Sequence, residues 1–303
     1  MKTKTVFKVL LLVMAVVFTG FAYSCKGMSV AAQIAGAAGL IDQNTANAIS
    51  QSAEAISKAN EDMTPEQEYY IGRAVGANIL ASYKVWNGNP AQTAYINKVC
   101  GAIIVNSPRP DIYNGYHVNI LDSTEINAFA TSGGHIFVTR GLIDNADSED
   151  TLAAVIAHEI SHIQLQHGLK AIKNSRFQQA ILVTATSAAG AATGTDVKEL
   201  TSVFNESIGE ILTTMVNNGY SQTQEFEADS FALSLLASAG YNPGGLVTML
   251  KALEKSQGNH PGGFNKTHPT PAKRVENAEQ LLPKYNVRDT GSFRSARYAA
   301  AVK

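Results

Sequence analysis

The five residues His158-Glu159-Ile160-Ser161-His162 constrain this chain more than any other stretch. Four residues make slightly more than one helical turn, so on a helix both imidazoles leave the same face about 5–6 Å apart and can grip one ion. Glu159, one position along, then reaches a water beside that ion rather than the ion itself. The spacing demands a helix, and the flanking residues supply one. Asp147, Ser148, Glu149 and Asp150 place capping and acidic residues in front of an apolar run, where the free amides and partial positive charge of a helix start favour them.

A catalytic zinc site needs a third protein ligand. A metzincin would carry Gly at 165 and His at 168; this chain has Leu165 and Gly168, which excludes that class. His167, five residues past His162, is rotated off the ligand face of a continuous helix and reads as a helix-end residue. The better source is Glu225-Phe226-Glu227-Ala228-Asp229, which opens a helix whose inward face continues through Ala232 and Leu236. Glu225 and Asp229 share that face, whereas Glu227 points elsewhere and is expected to be solvated. Glu225 is therefore assigned as the third ligand and Asp229 as the acceptor that fixes a ligand histidine's tautomer. Asp229 also fits a plain helix-start charge. The expected centre is one Zn2+ on His158, His162 and Glu225, with Glu159 as general base.

The rest of the chain frames this site. Its 303 residues are 45% hydrophobic and 16% charged with a net charge of -1, enough to bury a core and without the basic stripe a nucleic-acid binder needs. Lys2, Lys4 and Lys8 precede an apolar run, Val9 to Phe21, shorter than the roughly 20 residues that span a bilayer. Residues 1–24 thus read as a signal peptide of an exported protein. Cys25 follows Ala22, Tyr23 and Ser24 and resembles the lipid-accepting cysteine of a bacterial lipoprotein; pairing with Cys100 is the other reading. Residues 25–62, rich in Ala, Gly and Ser, read as a spacer, or as an amphipathic helix with Ile49 and Ile56 on one side.

A folded domain over 63–285 begins at Thr64-Pro65-Glu66-Gln67, a cap, a first-turn proline and a capping-box partner. Its first helix is expected to run toward Ser82, and a second, after Asn87 to Pro90, through Val99 to Val105. Strands are expected at His117 to Leu121, Asn127 to Thr131 and His135 to Thr139, the last two forming a hairpin around Gly133 and Gly134 with an edge on which an extended peptide can lie. Ala180 to Thr195 reads as a buried helix ending in a loop, residues 286–303 as a tail, and His117, His135 and His260 as structural or exposed.

These residues resemble the HtpX and CAAX-prenyl-protease type of gluzincin zinc metallopeptidase, in its soluble periplasmic BepA and LoiP-like branch. The resemblance covers Thr64 to Tyr285. It rests on His158 to His162 followed by His167-Gly168, on Glu225 to Asp229, on Asn127-Ala128-Phe129-Ala130 with Gly133-Gly134, and on His268-Pro269 with Arg274. It implies an α+β, mainly helical domain with a small β-sheet bordering the cleft, zinc held by two His and one Glu, and cleavage of unfolded or misassembled envelope polypeptides. It places His268 near the metal, assisting the oxyanion or covering the site, and makes Arg274 a support of the cleft. Membrane contact is expected only through a lipid on Cys25, in the periplasm or at the outer membrane. A chaperone-like assembly factor with a latent or structural metal site is the alternative.

Overall fold

The computed structural model describes residues 25–59, 64–170, 209, 212–256, 263–269, 271–285 and 291–302. The expected signal peptide at 1–24, the helix at 180–195 and His260 lie outside them. The chain divides into two compact units, Met1–Asp62 with Ile172–Asn205 and Met63–Ala171 with Glu206–Lys303.

The described part of the first unit is a helical hairpin. Helix α1 (Cys25–Ala37) and helix α2 (Gln43–Ala59) are joined through Gly39 at φ 68°. Alanine is the strongest helix former, and here it also sets the packing. Ala31, Ala32, Ala35, Ala46 and Ala53 are buried, and a Cβ on Gly36 would stand 2.6 Å from that of Ala46. Small side chains let the two backbones approach, so a stretch with few large apolar residues still packs.

The second unit opens with α3 (Pro65–Ser82), capped by Thr64 and Gln67 in a reciprocal capping box, and α4 (Pro90–Ile104), capped by Asn89. Three strands follow: β1 (His117–Leu121), β2 (Ala128–Thr131) and β3 (His135–Thr139). Strands β2 and β3 form the expected antiparallel hairpin, with Gly133 at φ 75° and Gly134 at φ 97°. The sheet order is β1-β3-β2, with β1 parallel to β3. The hairpin turn is pressed against α3, where a Cβ on Gly72 would come 1.5 Å from the Ser132 carbonyl oxygen.

After α5 (Arg140–Asn145), helix α6 (Glu149–Gln164) runs through the core, capped by Ser148 and buried from Thr151 to Gln164 on every face. A helix covered all round needs neighbours on all sides. Strand β2, α4, α7 (Gln222–Ser238) and α8 (Gly244–Ser256) provide them. The short α9 (Phe264–Thr267) and α10 (Pro271–Leu281) complete the surroundings of the site. Within the tail, Gly291–Val302 forms α11, packed on the start of α6. Tyr298 is buried and donates to the Ala146 carbonyl at 2.7 Å, Arg294 pairs with Asp150 at 3.1 Å, and Arg297 pairs with the buried Glu149.

Cys100 is a buried cysteine on α4 with a free thiol, which burial pushes up to about 12. Among the described residues, no helix is long and apolar enough to cross a membrane.

Candidate active site

Three helices and a loop converge on one buried point. Helix α6 carries His158, Glu159 and His162, each at most 2% exposed. Helix α7 starts at a Ser221–Gln224 capping box, which sets its first turn so that Glu225 and Asp229 face α6, both fully buried. The end of α9 brings in His268, and the first turns of α10 bring in Arg274, also buried.

His158 Nε2 and His162 Nε2 stand 3.0 Å apart. His268 Nδ1 lies 3.2 Å from His158 Nε2 and 3.1 Å from Glu225 Oε1. Glu225 Oε2 is 3.4 Å from His158 Nε2, and Oε1 is 3.6 Å from His162 Nε2. Ligand atoms of His158, His162, Glu225 and His268 all fall within 4.8 Å of one another. Behind them, Asp229 Oδ1 accepts from His158 Nδ1 at 3.0 Å, and Arg274 forks onto Asp229 through Nε at 2.8 Å and Nη2 at 2.7 Å. Phe264 stacks on His268 with ring centres 4.2 Å apart, and Tyr220 on His162 at 4.1 Å.

The donor set fits a small cation. His158 Nε2 faces His162 Nε2, His268 Nδ1 and Glu225 Oε2 within 3.4 Å, more neighbours than the one proton it can carry serves; a cation among them satisfies all of them. Tetrahedral zinc with nitrogens at about 2.0–2.1 Å separates its ligand atoms by roughly 3.3 Å, close to the spacings above. Glu225 Oε2 and Glu159 Oε1 are buried without a hydrogen-bond partner, an arrangement that costs free energy unless something else satisfies them. Arg274 Nη1 approaches Glu225 Oε2 to 2.8 Å, but neither atom makes an aligned hydrogen bond; the contact is a charge pair that leaves a carboxylate lone pair free.

Electrostatics divide the carboxyls by role. Burial raises Glu159, against the opposing pull of His268 and His158, so it holds a proton more readily than an ordinary glutamate. Burial pushes Glu225 the same way, but Arg274 and His268 outweigh it and hold the group well below its usual range, ionised. Burial and Arg274 pull His158 down, while Asp229 and Glu225 win and push it up to about 9. Burial and His158 hold His162 well below the usual histidine range, neutral.

All the predicted site residues of the second unit therefore meet: His158, Glu159, His162, Glu225, Asp229, His268 and Arg274. Cys25 is the first residue of α1, in the other unit. Two readings need correction. His167 does not continue α6. Leu165 ends the helix and Gln166 takes the left-handed conformation at φ 56°, which turns His167 back until its Nδ1 is 2.8 Å from His162 Nδ1. Glu227 is not merely solvated, since Oε2 accepts from His167 Nε2 at 3.1 Å and pairs with Lys170 at 3.5 Å. Tyr220 is a further residue that motif reasoning passes over; its signal is position, immediately before the Ser221 cap, where a large apolar residue often packs on what the helix faces. His117 is exposed, with Nε2 against the Asn114 carbonyl, and His135 half-buried, away from the site.

Comparison with known proteins decides what this arrangement belongs to. The profile of peptidase family M48 matches residues 90–282. The chain belongs to peptidase family M48. It is similar to the metalloprotease LoiP of Escherichia coli (strain K12), with 31% identity over 195 residues, 64% of this chain and 73% of that protein. The mitochondrial metalloendopeptidase OMA1 of Schizosaccharomyces pombe is 31% identical over 198 residues, 65% of this chain and 55% of the relative. The beta-barrel assembly-enhancing protease of E. coli (strain K12) is 27% identical over 220 residues, 70% of this chain and 42% of the relative. The chain thus spans about half the length of the latter two. Membership in M48 and the His/Glu donor cluster make it a metal-dependent peptidase.

Proposed function

We propose that the chain is a zinc endopeptidase in which His158, His162 and Glu225 hold the ion, Glu159 is the general base, and Asp229 and Arg274 hold the ligands in place. The observation that carries this reading is the buried donor set with the unpartnered Glu159 Oε1 beside it. A bound Zn2+ supplies Lewis acidity toward the scissile carbonyl and lowers the pKa of water to roughly 7. Glu159 takes the proton of the attacking water at Oε1 and passes it to the leaving amine, a transfer its raised affinity for a proton favours. Asp229 holds a proton on His158 Nδ1, which keeps Nε2 as the ligand atom.

His268 has two readings. Its Nε2, 3.5 Å from Glu159 Oε1, suits a donor to the developing oxyanion. Its Nδ1, close to both His158 Nε2 and Glu225 Oε1, favours a fourth donor that covers the site at rest. A His268→Ala variant loses turnover under the first reading and keeps or gains it under the second.

The substrate is an extended polypeptide. Asn127 and Thr139 pair across the hairpin, with the Thr139 amide donating to the Asn127 carbonyl. By alternation, Ala130 turns its main-chain groups away from β3, toward the side where another strand can add, while the Ala128 amide already donates to Asn127 Oδ1 at 2.9 Å. The name of the beta-barrel assembly-enhancing relative favours unfolded or misassembled envelope proteins as substrates, in a chain exported by residues 1–24 and anchored by lipid on Cys25. The test is digestion of casein by the parent and by Glu159→Gln, with zinc content measured on both. Cleavage by the parent alone, with zinc on both, supports the peptidase reading; zinc on both and cleavage by neither moves the chain to the chaperone-like alternative.

A further inference from the structure

His167 and Glu227 stand outside the donor set, yet a continuous line of contacts joins them to it: Glu227 Oε2 to His167 Nε2 at 3.1 Å, then His167 Nδ1 to His162 Nδ1 at 2.8 Å. An imidazole that offers its Nε2 lone pair to a cation carries its proton on Nδ1. That requirement orders the whole line. His162 Nδ1–H donates to His167 Nδ1, and His167 Nε2–H donates to the Glu227 carboxylate. Two Nδ1 atoms at 2.8 Å hold one proton between them, so no other neutral arrangement leaves His162 Nε2 free to bind.

We infer that His167 and Glu227 are positioning residues that keep the His162 proton on Nδ1 and aim Nε2 into the donor set. This rests on His162 being a metal ligand.

A second observation, on the backbone, points the same way. Gln166 is the one described non-glycine residue with a positive φ, 56°. That conformation is costly for a residue with a Cβ, and such outliers gather where function requires them. In an unbroken helix, residue 167 would sit about 140° around the axis from residue 162. The left-handed turn at Gln166 removes that offset, and the Gln166 side chain is tied to Glu68 across the unit. His162 is then held in two ways, by Tyr220 stacked on its ring and by His167 at its outer nitrogen. His158 has its outer nitrogen bound by a buried aspartate directly. For His162 the carboxylate is one imidazole further out, on a side chain 47% exposed.

The experiment measures zinc affinity of the full chain by competition with a chromogenic chelator, for the parent, His167→Phe, His167→Asn, Glu227→Leu and His162→Ala. The thermal midpoint under excess chelator is recorded for each. His167→Phe is expected to weaken zinc roughly 10- to 100-fold while its chelated midpoint stays near the parent's. His167→Asn, whose amide oxygen can accept from Nδ1–H, is expected to recover most of that loss, and Glu227→Leu to fall between. Parental affinity in both His167→Phe and Glu227→Leu, with zinc lost in His162→Ala, overturns this inference and leaves the ligand assignment standing. Parental affinity in His162→Ala overturns both. If His167→Phe does not fold, Glu227→Leu decides alone, because its half-exposed side chain is removed without opening the core.

Discussion

Glu159 differs from Glu225 in a way one substitution exposes. It touches none of the donors closely and its Oε1 is unpartnered, so Glu159→Gln should keep zinc at the parent level while kcat on casein falls roughly 10²- to 10⁴-fold. Glu225→Gln should instead lose zinc, read by metal analysis after dialysis. Asp229 is a different kind of residue, since Arg274 and His158 both depend on its charge. Asp229→Asn leaves a buried guanidinium under-compensated and should destabilise the chain by about 3 kcal/mol, measured by urea unfolding. The pairing of Glu225 with Asp229 was legible because i and i+4 share a helix face. The partner of Glu227 was not, because it lies 60 residues away in sequence and is reached only through the turn at Gln166.

At the scale of elements, the helix that carries the site begins with a reciprocal cap between Ser148 and Thr151. Ser148→Ala should cost about 1 kcal/mol and, by fraying the first turn, loosen the contact with α11 before it disturbs the donors. The approach of α3 to the hairpin is less forgiving. A methyl on Gly72 collides with the Ser132 backbone, which cannot swing aside as a side chain would, so Gly72→Ala should lose about 3 kcal/mol in the same unfolding assay. Both helix starts and the hairpin turn were readable from capping residues and paired glycines, whose effects are local. The parallel pairing of β1 with β3 was not, because it joins strands separated by an intervening strand and leaves no mark on either one.

Across the whole second unit, the C-terminal helix α11 grips the first turn of α6. Glu149 is raised by burial, but bonds from Arg297, Tyr95 and Tyr241 prevail and hold it below its ordinary 4.5. A carboxyl lowered by folding stabilises the chain above its unfolded value and loses that contribution as pH falls through the folded one. Stability of the parent should therefore decline as pH drops below 4.5. Arg297→Ala should lower the neutral-pH plateau by about 2 kcal/mol and make the acid decline shallower, followed by urea midpoints from about pH 3 to 7. The amino-acid order by itself determined the helix at His158 to His162, the placing of Glu225 and Asp229 on one helix face and the hairpin beside them, because each follows from spacing within a few turns. Tertiary structure alone decided that the last residues clamp the helix that carries the site, that the Ala-rich segment is a helical pair, that His268 Nδ1 meets Glu225, and that His167 turns back to His162. Each of those depends on a contact between residues distant in sequence, or on a single left-handed residue that helical spacing does not foresee.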